Sequence, residues 1–393
     1  MTAFGGSVAP GWEPVETAFQ GNFDGEDVGA AAAVYHRGVK VVDVWGGSFH
    51  RSEPSPPYDD QTLQLVFSTT KGITAIAVAI CRQRGLFDYS DTVASVWPEF
   101  AAKAKQDATI AQLLSHQCGL FSVQGDITLD EALDWETITA RLADTAPEWP
   151  IGTAHGYHAL TFGWLAGELV RRADPAHRSI GRFVAEEIVD PLGVELWIGL
   201  PEALEPRVSP MIGGLATSSN PDPKIQALLE QFFGPHSNAG RALSLNGAFT
   251  GDGMFNRREV HAAEIPAANA ITNASSLAKI YAATIGEVDG VRLLTAETVD
   301  IVRQTVTPTG EMDTCLMAET CFGMGFMTNG PFTTFGGPGS FGHPGAGGSV
   351  AFAHPERELS VAYVMNKMAS NLAGDARAQR ITDAATEVVD ALR

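Results

Sequence analysis

Strand-forming residues at the two ends of the chain constrain its fold more than any other feature. Each end carries two apolar or β-branched runs separated by turn residues, which is the pattern of a β-hairpin. The runs are 28–35 and 39–45 near the N-terminus, and 349–353 and 359–365 near the C-terminus. The segment between them has helical periodicity, as in TFGWLAGELVRRA at 161–173. We therefore expect one sheet built from both ends, with a helical unit inserted between its halves.

This arrangement predicts a mixed α/β fold in two parts. At 393 residues the chain is too long for one minimal domain. We expect an α/β domain formed by 1–88 together with 266–393, and a mostly helical domain over 89–265. Within the second domain, residues 200–265 are rich in Pro, Gly and Asn, as in NPDPK at 220–224, and predict long loops around a pocket. The alanine-rich residues 370–392 predict a terminal helix.

The charge balance argues against two classes of partner. The chain carries 26 basic and 46 acidic residues, a formal net charge of −20. Nucleic acids and anionic membrane surfaces both require a basic face on the protein. No run of 18 apolar residues occurs, so we also expect no membrane-spanning helix.

The first residues and the cysteines predict a cytoplasmic protein. The stretch MTAFGGSVAPGWEPVETAF has no basic segment leading into an apolar one, so it does not resemble a signal peptide. The four cysteines, Cys81, Cys118, Cys315 and Cys321, show no CxxC spacing. Reduced, buried thiols fit this pattern better than disulfides or a zinc site.

The stretch FSTTKGITAIAVAIC at 67–81 contains the strongest candidate for chemistry. Ser68 and Lys71 lie three residues apart, and the ten residues from Gly72 to Cys81 carry no charge. A helix that is apolar all round is buried, and residues three apart lie on the same face of its first turn. Burial and the positive end of the helix dipole both lower the pKa of a lysine. Lys71 can then take the proton of Ser68, which becomes a nucleophile.

The Ser-x-x-Lys pattern is not specific by itself, because it recurs at Ser276 and Lys279. Lys279 has Tyr281 and Ala282 beside it, and the uncharged run that follows it has seven residues, against ten after Lys71. We interpret this second copy as an ordinary helix start.

Five further motifs follow Ser68-Thr69-Thr70-Lys71 and extend the pattern over nearly the whole chain. They are LLSHQCGL at 113–120, WPIGTAHGY at 149–157, ITNASSLAKIYAATIG at 271–286, GMGFM at 323–327 and FGHPGAGGSVAFAHPERELSVAYVMNKM at 341–368. In this order they resemble the β-lactamase-related serine hydrolases, which include class C β-lactamases, D-alanyl-D-alanine carboxypeptidases, nylon-oligomer hydrolases and family VIII carboxylesterases. The resemblance implies an antiparallel sheet flanked by helices, a mostly helical second domain, and an active site between them.

The resemblance also implies a role for several residues. Ser68 matches the nucleophile, Lys71 the base, and Tyr157 the tyrosine of a Tyr-x-Asn element, a second proton-relay group. The oxyanion hole of the family then corresponds to the backbone N–H groups of Ser68 and Ala346. No Gly-x-Ser-x-Gly occurs, so the nucleophile elbow of an α/β-hydrolase is excluded.

Two departures from the family pattern lie in the implied substrate pocket. Ala159 stands where the asparagine of Tyr-x-Asn contacts the substrate amide in β-lactamases. His343-Pro344-Gly345 replaces the Lys-Thr-Gly element on the edge strand of the sheet. The cation that meets a β-lactam carboxylate is therefore absent, unless His343 is protonated. Both departures favour uncharged esters, as in the family VIII carboxylesterases.

His155 and His158 are the one arrangement that suggests a metal. No His-Glu-x-x-His motif and no third ligand accompany them, so we interpret both as pocket-wall histidines and expect neither a metal nor a cofactor. The leading hypothesis is a serine esterase acting on short-chain, small-molecule carboxylic esters. Two alternatives stay open: an amide or β-lactam hydrolase of the same fold, including the nylon-oligomer and D-amino-acid peptidase types, and a non-catalytic ligand-binding domain.

Overall fold

Both ends of the chain join one seven-stranded antiparallel sheet in the computed structural model, which describes residues 3–214, 231–232, 234–370 and 373–393. Two hairpins lie at its centre, and both are those predicted from the sequence. In spatial order the strands are β1 (Phe4–Val8), β3 (Val39–Gly47), β2 (Gly29–His36), β11 (Leu359–Met365), β10 (Val350–His354), β9 (Phe341–Pro344) and β8 (Met327–Thr328).

The pairing of β2 with β11 joins the N-terminal strands to the C-terminal strands in one sheet. Ala33 lies opposite Ala362 in this antiparallel pair. The hairpin between β2 and β3 turns at Arg37 and Gly38, whose φ angles of 53° and 74° are both positive. Two positive φ angles are those of a tight turn whose twist matches that of the strands. The prediction of one sheet built from both ends is therefore confirmed.

A second, four-stranded sheet was not predicted. Its order is β5 (Leu196–Trp197), β7 (Ile271–Thr272), β4 (Leu63–Leu65) and β6 (Val208–Ser209). Strands of two or three residues are too short to show an alternating pattern, so they carry no sequence signal. This sheet matters for the site because β4 leads directly into the turn that contains Ser68.

The remaining elements are mostly short helices. The α-helices are α1 (Glu13–Gly21), α2 (Thr70–Gln83), α3 (Val93–Val96), α4 (Ile110–Leu114), α5 (Leu129–Leu133), α6 (Trp135–Asp144), α7 (Thr161–Ala173), α8 (Ile180–Val184), α9 (Asp190–Leu192), α10 (Asn238–Ser244), α11 (Arg258–Ala262), α12 (Ala274–Ile285), α13 (Ala296–Val302) and α14 (Ala376–Ala391). Helical turns of other types are Phe67–Thr69, Pro98–Ala101, Ala185–Val189, Glu202–Arg207, Met254–Asn256 and Pro355–Arg357.

Helix α2 is buried on all sides, as its uncharged sequence predicts. Every residue from Thr70 to Cys81 is buried, and the helix packs against α7, α8 and strand β9. The terminal helix α14 is also as predicted, except that it begins at Ala376 rather than at residue 370. Among the described residues, no helix combines the length and apolarity needed to cross a membrane.

The division of the chain into two domains stays a prediction. Of the predicted pocket loops, residues 215–230 and 233 lie outside the described residues, and these include NPDPK at 220–224. The rest of 200–265 consists of short elements and turns, and several of its residues, among them Met211, Leu243 and Phe255, line the cavity described below.

Candidate active site

Ser68 lies in a strained turn between β4 and α2. The turn, Phe67–Thr69, begins with Phe67 in the left-handed region at φ 44°. A non-glycine residue in this conformation costs roughly 1–3 kcal/mol, and such strain is concentrated at functional sites. Phe67 and Thr69 are buried, whereas Ser68 is half-buried and lines a cavity. The turn therefore presents the Ser68 hydroxyl at the cavity wall.

Lys71 is fully buried in the first turn of α2, and its amine has three close partners. Nζ lies 3.0 Å from Ser68 Oγ, 2.6 Å from the carbonyl oxygen of Ala159 and 3.0 Å from that of Ala267. Burial holds the pKa of Lys71 well below its usual value. The predicted proximity of Ser68 and Lys71 and the predicted direction of this pKa shift are both present in the structure.

The two carbonyl groups orient the amine of Lys71. A neutral amine has two N–H donors and one lone pair. When its N–H groups donate to Ala159 and Ala267, the lone pair is left for the third partner, the hydroxyl of Ser68. In that state Ser68 donates its proton towards Nζ, which is the geometry required of a base next to its nucleophile.

Tyr157 lies against both of these side chains. Its ring centroid is 4.7 Å from Lys71 Nζ, and it lines the same cavity as Ser68. Burial raises the pKa of the Tyr157 phenol above its usual value, and the neighbouring Ser68 hydroxyl opposes that shift only in part. The phenol therefore stays protonated at neutral pH and can donate a proton at the reacting centre.

Ala346 lies in a tight turn beside this group. Gly348 N–H donates to the Gly345 carbonyl at 3.2 Å, and Gly347 has φ 85°. A positive φ at the third position is that of a type II turn, with Ala346 at the second position. Among the described residues, the backbone N–H groups of Ala346 and Ser68 have no acceptor, and both residues line the cavity. Two unpaired N–H groups at one cavity are what an oxyanion hole requires.

Gly345, which was predicted in the substrate pocket, lies between two residues that line the cavity, Pro344 and Ala346, but does not line it itself. A Cβ on Gly345 would collide with Ser349 Oγ and with the Val66 carbonyl oxygen. Glycine is required here because the end of β9 packs directly against the chain that enters the Ser68 turn. The N–H of Gly345 donates to the Ser349 carbonyl at 2.7 Å, which fixes this approach.

His343 lines the cavity and is neutral. Its Nδ1 lies 2.7 Å from the Pro344 carbonyl oxygen, so Nδ1 carries the proton and Nε2 is left as an acceptor. Burial, with a smaller contribution from Lys71, lowers the pKa of His343 to about 3. His343 therefore offers no cation to a β-lactam carboxylate at neutral pH.

Strand β9, which carries His343, is not the edge strand of the sheet. Strand β8 lies outside it and pairs with Phe341 and Gly342. Because β8 has only two residues, this pairing ends before His343. His343 is therefore not covered by β8, and it lines the cavity.

Three contacts that support the site were missed in the sequence. Ala159 was predicted in the substrate pocket, where the structure places it, but its carbonyl also accepts from Lys71. The Ala267 carbonyl does the same. Asp313 is buried, and its Oδ1 accepts the backbone N–H of Tyr157 at 3.0 Å. Every residue has a carbonyl group, so the first two roles have no sequence signal.

His155 and His158 do not line the cavity, so the interpretation as pocket-wall residues is wrong. Both are buried. His158 Nε2 accepts from Leu120 N–H at 2.8 Å, and Nδ1 lies 2.6 Å from the Gly156 carbonyl oxygen. With both ring nitrogens bonded to backbone, His158 has none left for a metal. Throughout the part of the chain that the structure describes, no group of three His, Cys, Asp or Glu side chains is placed to hold one.

The second Ser-x-x-Lys begins a helix, as predicted. Asn273 caps α12 by accepting from Ser276 N–H at 2.8 Å. Lys279 Nζ donates to the Leu192 carbonyl at 2.7 Å and pairs with Asp289 at 2.7 Å. Lys279 is therefore held by a carbonyl and a carboxylate, whereas Lys71 faces its serine.

The cavity at Ser68 has a volume of about 550 Å³ and mostly apolar walls. A volume of roughly 300–1,000 Å³ is typical of small-molecule sites. Among the described residues, its lining contains one side chain with a formal charge, Asp252, and no lysine or arginine. Its largest apolar members are Phe67, Met211, Phe249, Met254, Phe255, Met327, Phe332 and Met368.

This fold, an antiparallel sheet flanked by helices with a Ser-x-x-Lys helix against it, is that of the β-lactamase-like serine hydrolases, and the protein is an enzyme of that class. The family model described as Beta-lactamase matches residues 16–386, so the chain belongs to the β-lactamase family. The family and the fold predicted from the sequence are both confirmed.

Relatives of this chain include esterases and a penicillin-binding protein homologue. It is 34% identical over 377 residues to the "Esterase/beta-lactamase LipL" of Mycobacterium tuberculosis, covering 93% of this chain and 84% of that protein. The crystal structure of a family VIII carboxylesterase superposes with a TM-score of 0.86 at 34% identity, covering 98% of this chain and 100% of the other. A penicillin-binding protein homologue from Caulobacter crescentus has a TM-score of 0.85 at 36% identity, with the same coverage.

Proposed function

We propose that this protein is a serine carboxylesterase that hydrolyses short-chain, uncharged esters through an acyl-enzyme on Ser68. Lys71 is the base and Tyr157 the proton relay. The observation that carries the proposal is the environment of Lys71 Nζ, which is buried, bonded to two carbonyl groups and 3.0 Å from Ser68 Oγ. Ester hydrolysis also fits the names of two relatives, LipL and the family VIII carboxylesterase.

The residues account for each step of an acyl-enzyme reaction. Ser68 Oγ attacks the ester carbonyl carbon while its proton passes to Lys71 Nζ, and the carbonyl oxygen takes up negative charge. The N–H groups of Ser68 and Ala346 stabilise this oxyanion. The C–O bond then breaks, and the alcohol leaves with a proton delivered through Tyr157. Water attacks the acyl-enzyme by the same relay and releases the acid and Ser68.

The electrostatics of the cavity favour uncharged substrates. Its described lining offers no cation, His343 is neutral, and Asp252 adds a negative charge. A substrate carboxylate would therefore lose its hydration without gaining an ionic partner, which is unfavourable. The rival function, β-lactam or amide hydrolysis, is supported by the names of the family model and of LipL, and it requires the same nucleophile. The non-catalytic alternative gains no support from this site.

We expect p-nitrophenyl acetate or butyrate to be hydrolysed with a kcat/KM at least ~10²-fold above that for nitrocefin, because the described lining of the cavity has no cation to pair with the cephem carboxylate. The measurement is steady-state kinetics of one enzyme preparation on all three substrates. Equal kcat/KM values for nitrocefin and the best ester would contradict the proposed substrate class. The His343→Gln variant would then decide whether an imidazolium is the missing cation, because glutamine cannot be protonated at neutral pH.

The oxyanion role of Ala346 has a direct test, because proline is favoured at the second position of a type II turn. Ala346→Pro removes the N–H and keeps the turn, so we expect kcat to fall by about 10²–10³-fold. Ala346→Gly is the matched control, since it retains the N–H, and it should keep most of the activity. A folded Ala346→Pro enzyme with normal kcat would show that the oxyanion lies elsewhere.

A further inference from the structure

Arg377, the second residue of α14, is buried and uses all of its guanidinium donors. Its relative exposure is 3%. A guanidinium has five N–H donors in a fixed planar fork, and here each has an acceptor. Nε and Nη2 donate to the two oxygens of Asp375 at 3.1 and 2.8 Å. The other bonds run from Nη1 to Asp27 Oδ1 at 2.7 Å, from Nη1 to the Lys367 carbonyl at 2.9 Å, and from Nη2 to the Gly347 carbonyl at 2.7 Å.

The last of these bonds reaches the turn that carries the N–H of Ala346. The Gly347 carbonyl oxygen accepts from Arg377 Nη2 and also from Ala369 N–H at 2.9 Å. A Cβ on the next residue, Gly348, would lie 2.7 Å from Arg377 Nη2. The guanidinium therefore packs directly against the backbone of the turn, with no side chain between them.

The turn needs external support because two of its residues are glycines in left-handed conformations. Gly347 and Gly348 have φ angles of 85° and 128°. Glycine reaches such angles without strain, but it also leaves the backbone free to adopt others. On the side of the nucleophile, Ser349 Oγ donates to the Val66 carbonyl at 2.8 Å and lies 3.0 Å from Thr69 Oγ1. Arg377 holds the turn from α14, by donating to the carbonyl of Gly347.

We propose that Arg377 is a positioning residue for the oxyanion hole. By holding the Gly347 carbonyl it fixes the plane of the turn, and so the direction in which the Ala346 N–H points. This inference rests on the proposed function, in which that N–H stabilises the oxyanion. Because the oxyanion forms only in the transition state, loss of Arg377 should lower kcat and leave KM nearly unchanged.

The experiment compares Arg377→Met and Arg377→Lys with a control on the same helix, Arg380→Met. Lysine keeps the positive charge but lacks the planar guanidinium that donates to four groups at once. If the Arg377→Met variant does not fold, the Arg377→Lys variant provides the test. Arg380 is one turn further along α14, where it donates to Asn22 at 2.9 Å and pairs with Glu26 at 2.6 Å. Among the described residues, none of its hydrogen bonds or ion pairs reaches the Gly345–Gly348 turn. For each variant we would measure kcat and KM with p-nitrophenyl butyrate, the inhibition constant of phenylboronic acid, and Tm.

Phenylboronic acid separates positioning from general stability, because its adduct with the serine places an oxygen where the oxyanion forms. We expect both Arg377 variants to lose about 10–10²-fold in kcat, with KM within about twofold, because small displacements of a stabilising group have effects of this size. The affinity for the boronic acid should fall by the same factor. Arg380→Met should keep both values even where its Tm falls.

Two results would overturn the inference. One is normal kcat and boronic acid affinity in folded Arg377→Lys, and the other is a loss in Arg380→Met as large as that in the Arg377 variants. Failure of the proposed function is separate from either result. It would appear as normal kcat in Ala346→Pro, whereas a loss in Ala346→Pro together with normal kcat in Arg377→Lys would reject the role of Arg377 alone.

Discussion

Replacement of Ser68 by alanine is expected to abolish ester hydrolysis, because the acyl-enzyme has no other site on which to form. Loss of the nucleophile in a serine hydrolase removes about 10⁶-fold in kcat. The remaining rate should reflect the oxyanion hole and substrate binding alone. The measurement is kcat with p-nitrophenyl butyrate, together with Tm to show that the variant is folded.

The matched control is Ser276→Ala, since Ser276 belongs to the other Ser-x-x-Lys of the chain. Its hydroxyl accepts from Glu195 N–H at 3.0 Å, and no bond joins it to Lys279 among those recorded. We expect this variant to retain its activity. A fluorophosphonate should label Ser68 and leave Ser276 unmodified, as read by mass spectrometry of the peptides. Labelling at another residue, with activity surviving Ser68→Ala, would reject the proposed nucleophile.

The proximity of Ser68 to a buried Lys71 could be predicted from the sequence, because a buried lysine requires an unusual local composition. A buried amine needs an apolar helix around it, and Gly72–Cys81 is such a helix. The two central hairpins were equally readable, since their alternating runs are long enough to define a period of two. Strand β1 could not be predicted from the sequence, because its sequence FGGSV contains two glycines. The strand also lies at the edge of the sheet, where it pairs with one neighbour.

The parts of the site that were missed depend on backbone groups and on tertiary packing. The carbonyl groups of Ala159 and Ala267 orient Lys71, but they come from residues 88 and 196 positions away along the chain. The same limit applies to His158, because only the fold shows that both of its nitrogens bond to backbone. The motif comparison singled out Tyr157, which lies against Lys71 and lines the cavity at Ser68, although its hydroxyl and its ring give no local pattern of their own.

The shifted pKa values of Lys71 and Tyr157 predict how kcat/KM depends on pH. Burial lowers the pKa of Lys71 and raises that of Tyr157, so the proposed mechanism uses a neutral amine and a neutral phenol. A lysine with a lowered pKa loses its proton as the pH rises, and kcat/KM should rise with it. His343, with a pKa lowered to about 3, is already neutral in that range and adds no step near pH 7.

Removal of Lys71 is the second change for which we expect a large loss of kcat/KM. Removal of the Tyr157 hydroxyl should also lower kcat/KM. Lys71→Met eliminates the base, so we expect a loss of about 10²–10⁴-fold in kcat/KM. Lys71→Arg should fail as badly, because a guanidinium stays protonated and cannot accept the Ser68 proton. Tyr157→Phe removes the hydroxyl that passes the proton to the leaving alcohol. If both groups serve one transfer, the double variant should be little worse than the poorer single variant.

The measurement is a double-mutant cycle on kcat/KM with one chromogenic ester, recorded across pH 6–9, a range in which an exposed lysine stays charged. Because burial lowers the pKa of Lys71, we expect any rise of the wild-type profile to lie below the pH at which an exposed lysine titrates. Above that rise the profile should stay level, since the phenol of Tyr157 remains protonated. In the Lys71 variants that rise should disappear, because neither methionine nor arginine loses a proton in this range. Additive losses, or a Tyr157→Phe enzyme with a near-normal rate, would show that Tyr157 is a wall of the cavity and that Ser68 and Lys71 act as a dyad. A rise that persists in Lys71→Met would instead assign the titrating base to another residue.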